Sequence, residues 1–287
     1  MSARMPYVAG MFYPAEEDSC RREIEVYLQA VDPAGLVGPV FGGLAPHAGW
    51  TYSGATMAQL YATLADEDAP DTVVLLGAAH QWGMGGAILY GSGAWRTPLG
   101  DVPVDEALAR EVLEAAGELA VDRPEMHAGE HSIEVHLPFV RYIYPQAMIL
   151  PVIVMPFGEA SRLGRLLAGA TRSLERRVVV IASSDLTHYG PRYRFTPVGV
   201  GRQALEWTRQ NDLRLLNLLI EMQADRMLDE VREHQNACGA GAVAAAIACA
   251  AELGATQGVL LHHTTSYDVM PMGPPEDMVG YAAVAMV

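Results

Sequence analysis

Three histidines of this sequence follow short apolar runs of strand length. His47 follows Val40–Leu44, His80 follows Thr72–Gly77, and His188 follows Arg177–Ala182 and the triplet Ser183-Ser184-Asp185. A neutral imidazole binds metal ions, and its pKa near neutrality also suits acid–base catalysis. In open α/β sheets, ligands bind outside the carboxyl ends of the strands, where loops from separate strands converge. These histidines therefore predict a site at one edge of a sheet.

A cysteine also stands in a distinctive position. Cys238 comes just before Gly239 and an alanine-rich segment with the composition of a buried helix. A thiol at a helix N-terminus faces unpaired N–H groups and the positive end of the helix dipole, which favour the metal-binding thiolate. The alternative is that Cys238 is a small buried apolar residue, as we expect for Cys20 and Cys249.

His47, His80 and Cys238 are the candidate metal ligands. Two neutral imidazoles and one thiolate leave coordination positions open for water, substrate or dioxygen, as catalytic metal sites do. The three residues are far apart in the sequence, so their spacing does not itself bring them together. Loop histidines that hydrogen-bond within the protein, without a metal, stay open as the alternative.

Asp185 and His188 lie three residues apart in the polar segment SSDLTHYG. We expect His188 to act as a general acid or base, with Asp185 orienting it or binding the substrate. The alternative is an Asx-type turn in which Asp185 caps the next segment and His188 is merely exposed.

The segment Glu130–Phe139 is dense in ionisable groups. If the segment is helical, His131 and Glu134 share one face, because residues three apart are neighbours on a helix. We expect His131 to reach the site and Glu134 to support a metal ligand through a hydrogen bond. The alternative is a helix start whose polar residues are solvated.

The elements that would position these residues alternate along the chain. The predicted strands are Val40–Leu44, Thr72–Gly77, Met148–Val154, Arg177–Ala182 and Gln257–His262. The predicted helices are Asp18–Ala30, Ser53–Leu64, Val104–Ala116, Glu159–Leu174, Arg202–Met222 and Gly239–Leu253. This alternation predicts an α/β fold with a mainly parallel or mixed sheet flanked by helices. No linker or repeat marks a boundary, so we expect a single domain over residues 1–287.

The composition excludes several classes of function. All 19 basic residues are arginine, which excludes lysine Schiff-base, pyridoxal-phosphate and Walker-loop chemistry. The net charge of −15 disfavours nucleic acid and anionic membranes as partners. The longest apolar run, Ala237–Ala251, is too short for a membrane span. Three cysteines and an N-terminus without a secretory signal predict a reducing, cytoplasmic location.

Seven segments, in order along the chain, carry a family resemblance. They are Val8–Pro14, APHAGWTYSG at 45–54, the His80 loop, WRTPLGDV at 95–102, EHSIEVHLPF at 130–139, SSDLTHYG at 183–190, and Ala237-Cys238-Gly239. Together they resemble the Memo family, also called AmmeMemoRadiSam system protein B in prokaryotes. The fold of that family is similar to that of class III extradiol ring-cleaving dioxygenases. The resemblance covers nearly the whole chain.

The resemblance implies that His47, His80 and Cys238 hold a metal, with Asp185 and His188 beside it. In the related ring-cleaving enzymes, a carboxylate stands where this family has the cysteine. The histidine that matches His188 in those enzymes acts as an acid or base on the bound substrate.

One departure from the family pattern lies next to the predicted ligands. Relatives often have a second histidine directly after the one that matches His80, whereas this chain has Gln81. We expect Gln81 to contact the substrate or to support a metal ligand. Because such changes reshape the pocket, the substrate is not carried over from the family.

These observations lead to three functional hypotheses. In the first, the chain is a dioxygenase-like, non-heme iron(II) oxidoreductase that brings a small electron-rich, phenolic substrate and dioxygen together on the metal. In the second, the chain binds copper or iron without turnover, or offers its pocket to a peptide. The family resemblance makes iron(II) the first choice of metal. Copper and zinc stay open, because a thiolate is a softer ligand than a carboxylate. Zinc-activated hydrolysis ranks third, since no nucleophile elbow is present.

Overall fold

Helices and strands alternate along most of the chain. The computed structural model describes residues 3–32, 36, 38–65, 68–80 and 85–287. The helices are α1 (Glu17–Gln29), α2 (Trp50–Ala65), α3 (Glu106–Ala116), α4 (Leu137–Ile143), α5 (Ala160–Ser173), α6 (Arg202–Ile220), α7 (Met227–His234), α8 (Ala240–Leu253) and α9 (Ser266–Val269). The strands are β1 (Ala3–Arg4), β2 (Gly42–Ala45), β3 (Thr72–Gly77), β4 (Ala87–Leu89), β5 (Ala94–Thr97), β6 (Gly100–Pro103), β7 (Ala120–Asp122), β8 (Met148–Val154), β9 (Val178–Ser183), β10 (His188–Tyr189), β11 (Gly258–Thr265) and β12 (Met278–Met286).

A large mixed sheet forms the centre of the fold. Its strand order is β10-β12-β2-β9-β3-β8-β4-β7, and β11 also pairs with β12. The neighbours β2, β9, β3 and β8 are parallel, whereas β12 runs antiparallel to β2 and β4 antiparallel to β8. A smaller sheet joins β1, β5 and β6. The predicted α/β class, with a mixed sheet flanked by helices, is confirmed.

The two faces of the central sheet bury different helices. Along β3, Val74 and Leu76 belong to the apolar cluster formed with α5 and α8, whereas Val73 and Leu75 belong to the cluster formed with α2 and α4. This division follows from the alternation of side chains along a strand. With helices on both faces, the strands read as continuous apolar runs, which is why the sequence reveals them.

The alanine-rich stretch forms α8, which is buried from Ala240 to Ala250. Its small side chains allow α5 to approach very closely, because Gly164 of α5 lies directly against the backbone of Ala245. A Cβ atom added at Gly164 would clash with the carbonyl oxygen of Ala245. Close packing of this kind explains why the segment is made of alanine and glycine.

The carboxyl ends of three parallel strands are level with one another at one edge of the sheet. Ala45 at the end of β2 pairs with Ser183 at the end of β9, and Leu76 of β3 pairs with Ala182. The loops that carry the strand-end histidines therefore leave the sheet side by side.

Most predicted elements lie within a few residues of observed ones, and Thr72–Gly77 and Met148–Val154 coincide with β3 and β8. The sequence analysis did not identify β12 or the shorter elements, which are α4, α7, α9, β1, β4, β5, β6, β7 and β10. The omission of β12 matters most, because this strand lies inside the sheet between β10 and β2. In the described part of the chain, no helix combines the length and the apolar character needed to cross a membrane.

The packing of α5 against α8 leads to a stability prediction. Gly164→Ala should lower the free energy of unfolding by about 1–3 kcal/mol, because the added methyl group forces the two backbones apart. Gly169→Ala, in the same helix but facing open space, is the matched control and should raise it by about 0.5–1 kcal/mol through helix propensity. Urea denaturation measures both changes. Equal effects of the two substitutions would contradict the packing described above.

Candidate functional site

The carboxyl ends of β2, β3 and β9 open into a cavity of about 690 Å³. His47, His80 and His188 line this cavity, together with His131 and Asp185. The ring centroids of His47 and His80 are 5.0 Å apart. The structure therefore brings the three strand-end histidines to one place.

His47 is buried at the inner end of the cavity. Its Nδ1 lies 2.8 Å from Ser183 Oγ, and its main-chain N–H donates to Asp185 Oδ1 at 2.8 Å. Burial, followed by the charges of His80 and His131, lowers the pKa of His47 well below its usual value. The ring is therefore neutral near pH 7, as metal binding requires.

His80 is paired with a buried carboxylate. Its Nδ1 is 2.9 Å from Glu130 Oε1, and its main-chain N–H donates to Glu130 Oε2 at 3.0 Å. The N–H of Ser132 donates to Glu130 Oε1 at 2.8 Å. An ionised carboxylate only accepts hydrogen bonds, so the proton of the neutral His80 ring is on Nδ1, and Nε2 keeps its lone pair. A carboxylate at this position orients a metal-binding histidine and makes it a stronger ligand.

The His80–Glu130 pair shifts the pKa values of both groups. Burial acts to lower the pKa of His80, but the hydrogen bond and charge of Glu130, with the charge of Asp185, outweigh it and raise that pKa. Burial acts to raise the pKa of Glu130, but the hydrogen bond and charge of His80 and the N–H groups of Ser132 and His80 lower it to about 2. Glu130 is therefore ionised at physiological pH.

His131 completes a compact group of imidazoles. Ring nitrogens of His47, His80 and His131 all lie within 4.8 Å of one another, close enough to hold one metal ion. The His131 ring stacks on that of His80 at 4.7 Å, and Phe12 packs edge-on against it at 5.0 Å. Burial, followed by the charge of His80, lowers the pKa of His131. The sequence analysis expected His131 to reach the site, and in the structure its ring lies beside those of His47 and His80.

Cys238 lies just before α8, with Sγ 3.3 Å from His47 Nε2. The expectation that the helix N-terminus favours the thiolate is wrong for this structure. Loss of solvent, followed by the charge of Asp185, raises the pKa of the thiol well above its ordinary value. In addition, the N–H of Gly239 donates to Ser184 Oγ at 2.9 Å. The thiol is therefore protonated at physiological pH.

Asp185 joins the loops that carry His47 and Cys238. Its Oδ1 accepts the main-chain N–H of His47, and its carbonyl oxygen accepts the main-chain N–H of Cys238 at 3.2 Å. Burial raises the pKa of Asp185, although the charge of His188 and the N–H groups of His47 and Ala48 act to lower it. The structure gives this carboxylate a clear role in orienting the site through the backbone.

His188 forms β10 with Tyr189 and pairs with Val279 of β12. Its Nδ1 is 3.0 Å from the carbonyl oxygen of Leu186. Because a carbonyl oxygen only accepts, Nδ1 donates, and Nε2 is the basic atom of the neutral ring. The ring of Tyr193 packs edge-on against His188 at 5.1 Å. This arrangement suits a general base and is not the freely exposed turn of the alternative interpretation.

The residue before His188 is held by α6 and β12. The N–H of Thr187 donates to Asp212 Oδ1 at 3.0 Å, and its hydroxyl accepts from Asn211 Nδ2 at 3.0 Å. The N–H of Gly280 donates to the carbonyl oxygen of Thr187 at 3.0 Å. The sequence analysis missed these residues, because contacts between distant segments leave no signal in spacing.

Glu134 has a different role from the one predicted. Its carboxylate forms a buried ion pair with Arg4 at 2.7 Å and accepts the N–H groups of Tyr7 and Val8 and the hydroxyl of Tyr13. Glu134 thus holds the N-terminal segment in place, while Glu130 supports the metal-ligand candidate His80.

The misassignment of Glu134 has a simple physical reason. The structure has no helix at His131, and a 3-10 turn begins only at Glu134. The assumed helical face that joined these two residues is therefore absent. Gln81, the other predicted contact residue, lies outside the described residues.

The outer wall of the cavity is rich in aromatic and methionine side chains. Among them are Phe12, Tyr52, Tyr193, Tyr281, Met270 and Met278. The charged residues Arg192, Glu276 and Asp277 also line the cavity. Such a wall suits an aromatic ligand with polar substituents, because ring faces and methionine sulfur make favourable contacts with aromatic rings.

The donor atoms at the inner end fit a transition metal. Imidazole nitrogen and cysteine sulfur are ligands for iron, copper and zinc, whereas magnesium and calcium prefer oxygen. In addition, Nδ1 of His80 is hydrogen-bonded to the carboxylate of Glu130, and Nε2 is the ring nitrogen left to bind a metal. Metal-binding histidines commonly have such a partner.

Comparisons with known proteins show similarity to one family over nearly the whole chain. The sequence model of the Memo-like protein family matches residues 4–285. A MEMO1 family protein of Pyrococcus horikoshii is 35% identical over 292 residues, covering 99% of each chain. One of Thermococcus kodakarensis is 36% identical over 294 residues, covering 98% of each chain. The solved structure of an uncharacterized protein from Escherichia coli K12 is similar in fold, with a TM-score of 0.53, 13% identity, and coverage of 79% of this chain and 91% of that chain.

The low pKa of Glu130 leads to a prediction about acid stability. Because its folded pKa of about 2 is below the ordinary 4.5, the carboxylate stabilises the metal-free fold above about pH 4.5, and this contribution is lost as the pH falls towards 2. Glu130→Gln should therefore cost about 2–3 kcal/mol at pH 6 and unfold with a weaker dependence on pH between 5 and 2. Urea denaturation of chelator-treated protein measures this.

The matched control for Glu130→Gln is Glu125→Gln, in the preceding turn, where the side chain is exposed. This substitution should leave the stability and its pH dependence unchanged. Parallel pH curves for Glu130→Gln and the unsubstituted protein would show that the His80–Glu130 pair does not stabilise the fold.

Proposed function

Because this chain belongs to the Memo family, we propose that it is a dioxygenase-like oxidoreductase that uses non-heme iron(II) at His47, His80 and Cys238. Its substrates are dioxygen and a small electron-rich, phenolic molecule.

One observation carries this proposal. The acceptors at Nδ1 of His47 and His80 leave the Nε2 atoms of both rings available beside a single cavity, and the base His188 lines the same cavity. Two imidazoles oriented in this way form an incomplete ligand set, which leaves room for exogenous ligands. A cavity with only structural histidines has no need for such an arrangement.

Cys238 is the proposed third ligand. Two donors of one tetrahedral ion, a nitrogen at about 2.0 Å and a sulfur at about 2.3 Å from the metal, lie about 3.5 Å apart. The 3.3 Å separation of Cys238 Sγ and His47 Nε2 is close to this value. His131 is the next donor within reach, because its ring nitrogen lies near those of His47 and His80.

The residues of this chain divide the chemistry between them. Bound iron(II) would supply a centre at which substrate and dioxygen meet and exchange electrons. His188 Nε2 is the atom that takes the proton of the substrate hydroxyl, because its Nδ1–H is held by the carbonyl oxygen of Leu186. Asp185 keeps the loops of His47 and Cys238 in register. The aromatic wall binds the ring of the substrate and limits access of water.

A second function is favoured by the thiol. Cysteine sulfur beside a histidine nitrogen forms a soft donor pair once the thiol has lost its proton on metal binding, and this pair suits copper(I) and zinc as well as iron. Such a site could store or transfer copper or iron without turnover, and the same cavity could then bind a peptide side chain. The two functions differ in whether His188 is needed for a reaction.

Metal content and oxygen uptake test the proposal. Protein purified without oxygen should contain stoichiometric iron and consume oxygen when catechols are added. His188→Gln should retain the iron but lose about 10²-fold or more of the uptake, because the proton acceptor is missing. The control His234→Gln replaces a histidine of α7 that is not among the residues lining the cavity and should leave both measurements unchanged.

Two results would contradict the oxygenase proposal. Absence of both iron and uptake would reject it outright. Bound metal with no uptake would also contradict it and would favour the metal-binding function, whereas uptake that is indifferent to His188→Gln would overturn the role of His188 as the base.

A further inference from the structure

We propose that Ser183, His136 and Tyr61 are positioning residues that fix the tautomer and ring orientation of His47, so that Nε2 of His47 faces the metal. This inference rests on the proposed metal site. It concerns a buried hydrogen-bond network that begins at Nδ1 of His47 and continues through Ser183 and His136 to Tyr61.

The position of the Ser183 hydroxyl proton can be deduced. Ser183 Oγ lies 2.6 Å from the carbonyl oxygen of Ser132, which can only accept, so Ser183 donates its proton there. The same Oγ is 2.8 Å from His47 Nδ1 and 2.9 Å from His136 Nε2. Since the only proton of the hydroxyl is already used, both ring nitrogens must donate to its lone pairs. His47 is therefore protonated on Nδ1, and its Nε2 carries the lone pair.

His136, the next member of this hydrogen-bond network, is constrained in the same way. His136 is buried, and burial lowers its pKa to about 3, so its ring is neutral. With a proton on Nε2, its Nδ1 accepts from the hydroxyl of Tyr61 at 3.0 Å. The order of donation is thus Tyr61 to His136, His136 to Ser183, and His47 to Ser183. Each of these hydrogen bonds therefore has one defined donor atom and one defined acceptor atom.

This hydrogen-bond network connects the site to the packing of the core. Tyr61 is on α2, where its ring stacks on that of Phe139 of α4 at 5.0 Å with an interplanar angle of 12°. Ser183 ends β9, and His136 lies in the turn before α4. The side chains of Tyr61, His136 and Ser183 are all fully buried. A buried network in which each group is satisfied is rigid, and a shift of any member leaves an unpaired donor or acceptor.

The two proposed histidine ligands are therefore oriented by different means. His80 donates to the charged carboxylate of Glu130, whereas His47 donates to a neutral hydroxyl. Removal of the Ser183 hydroxyl should release His47 alone and leave His80 in place. This difference allows an internal control within one protein.

Two measurements test the proposal. In metal-free protein with ¹⁵N-labelled histidine, two-bond ¹H–¹⁵N couplings report which ring nitrogen of each histidine is protonated. We expect the Nδ1–H form for His47 and His80 and the Nε2–H form for His136. Titration with zinc alone then gives the metal affinity of each variant.

Ser183→Ala should abolish the single tautomer of His47, keep that of His80, and weaken zinc binding about 10–100-fold, as loss of such a hydrogen bond does in metal sites. Tyr61→Phe removes only the outer end of the chain and should have a smaller effect. Thr171→Val is the matched control, because it deletes a buried hydroxyl of α5 that bonds to Ala168, and it should leave zinc affinity unchanged.

The outcomes separate this inference from the proposed function. An Nε2–H form of His47 in the unsubstituted protein, or unchanged zinc affinity in Ser183→Ala, would overturn the inference. If Ser183→Ala does not fold, the tautomers of the unsubstituted protein and the affinity of Tyr61→Phe decide instead, and unchanged affinity in Tyr61→Phe then counts against the inference. If the unsubstituted protein binds neither zinc nor iron, the proposed function fails, while the tautomer of His47 still decides the positioning role.

Discussion

The site depends above all on the hydrogen bonds of Asp185. Its carboxylate accepts the N–H of His47 and its carbonyl oxygen accepts the N–H of Cys238, so one residue at the end of β9 sets the distance between two loops. A buried acid is costly unless its oxygens are satisfied, and here the backbone N–H groups of His47 and Ala48 offset that cost. The level carboxyl ends of β2 and β9 make this geometry accessible.

The electrostatics of the cavity follow from what each ring nitrogen contacts. Glu130 is a charged partner and raises the pKa of His80, whereas His47 has a neutral partner and burial lowers its pKa. The two rings therefore differ in basicity, although both line the same cavity. The pKa of the Cys238 thiol is raised chiefly by burial, and the nearby Asp185 charge adds to this effect because it opposes a second negative charge.

The sequence could predict the fold and the strand-end histidines because buried parallel strands are continuous apolar runs and their carboxyl ends share one edge. It could not predict that Glu130 supports His80 in place of Glu134, because that choice depends on the turn between them, which is not α-helical. The role of Ser183 was hidden for a similar reason, since its partners come from distant segments. The sequence analysis did not identify β12 because small residues such as Gly280 and Ala282 have little strand propensity. The strand is buried because it lies inside the sheet, between β10 and β2.

The central place of β12 has a consequence for how the protein matures. This strand, the last described element, pairs with β2, β10 and β11, and its Gly280 exchanges backbone hydrogen bonds with the loop of Leu186 and Thr187. A chain still on the ribosome exposes its imidazoles and thiols before this strand has emerged, because synthesis adds residues one at a time from the N-terminus. The pairing edge of β2 stays uncovered during the same interval. The segment that carries His188 therefore reaches its final geometry only after β12 has been synthesised and has paired with it.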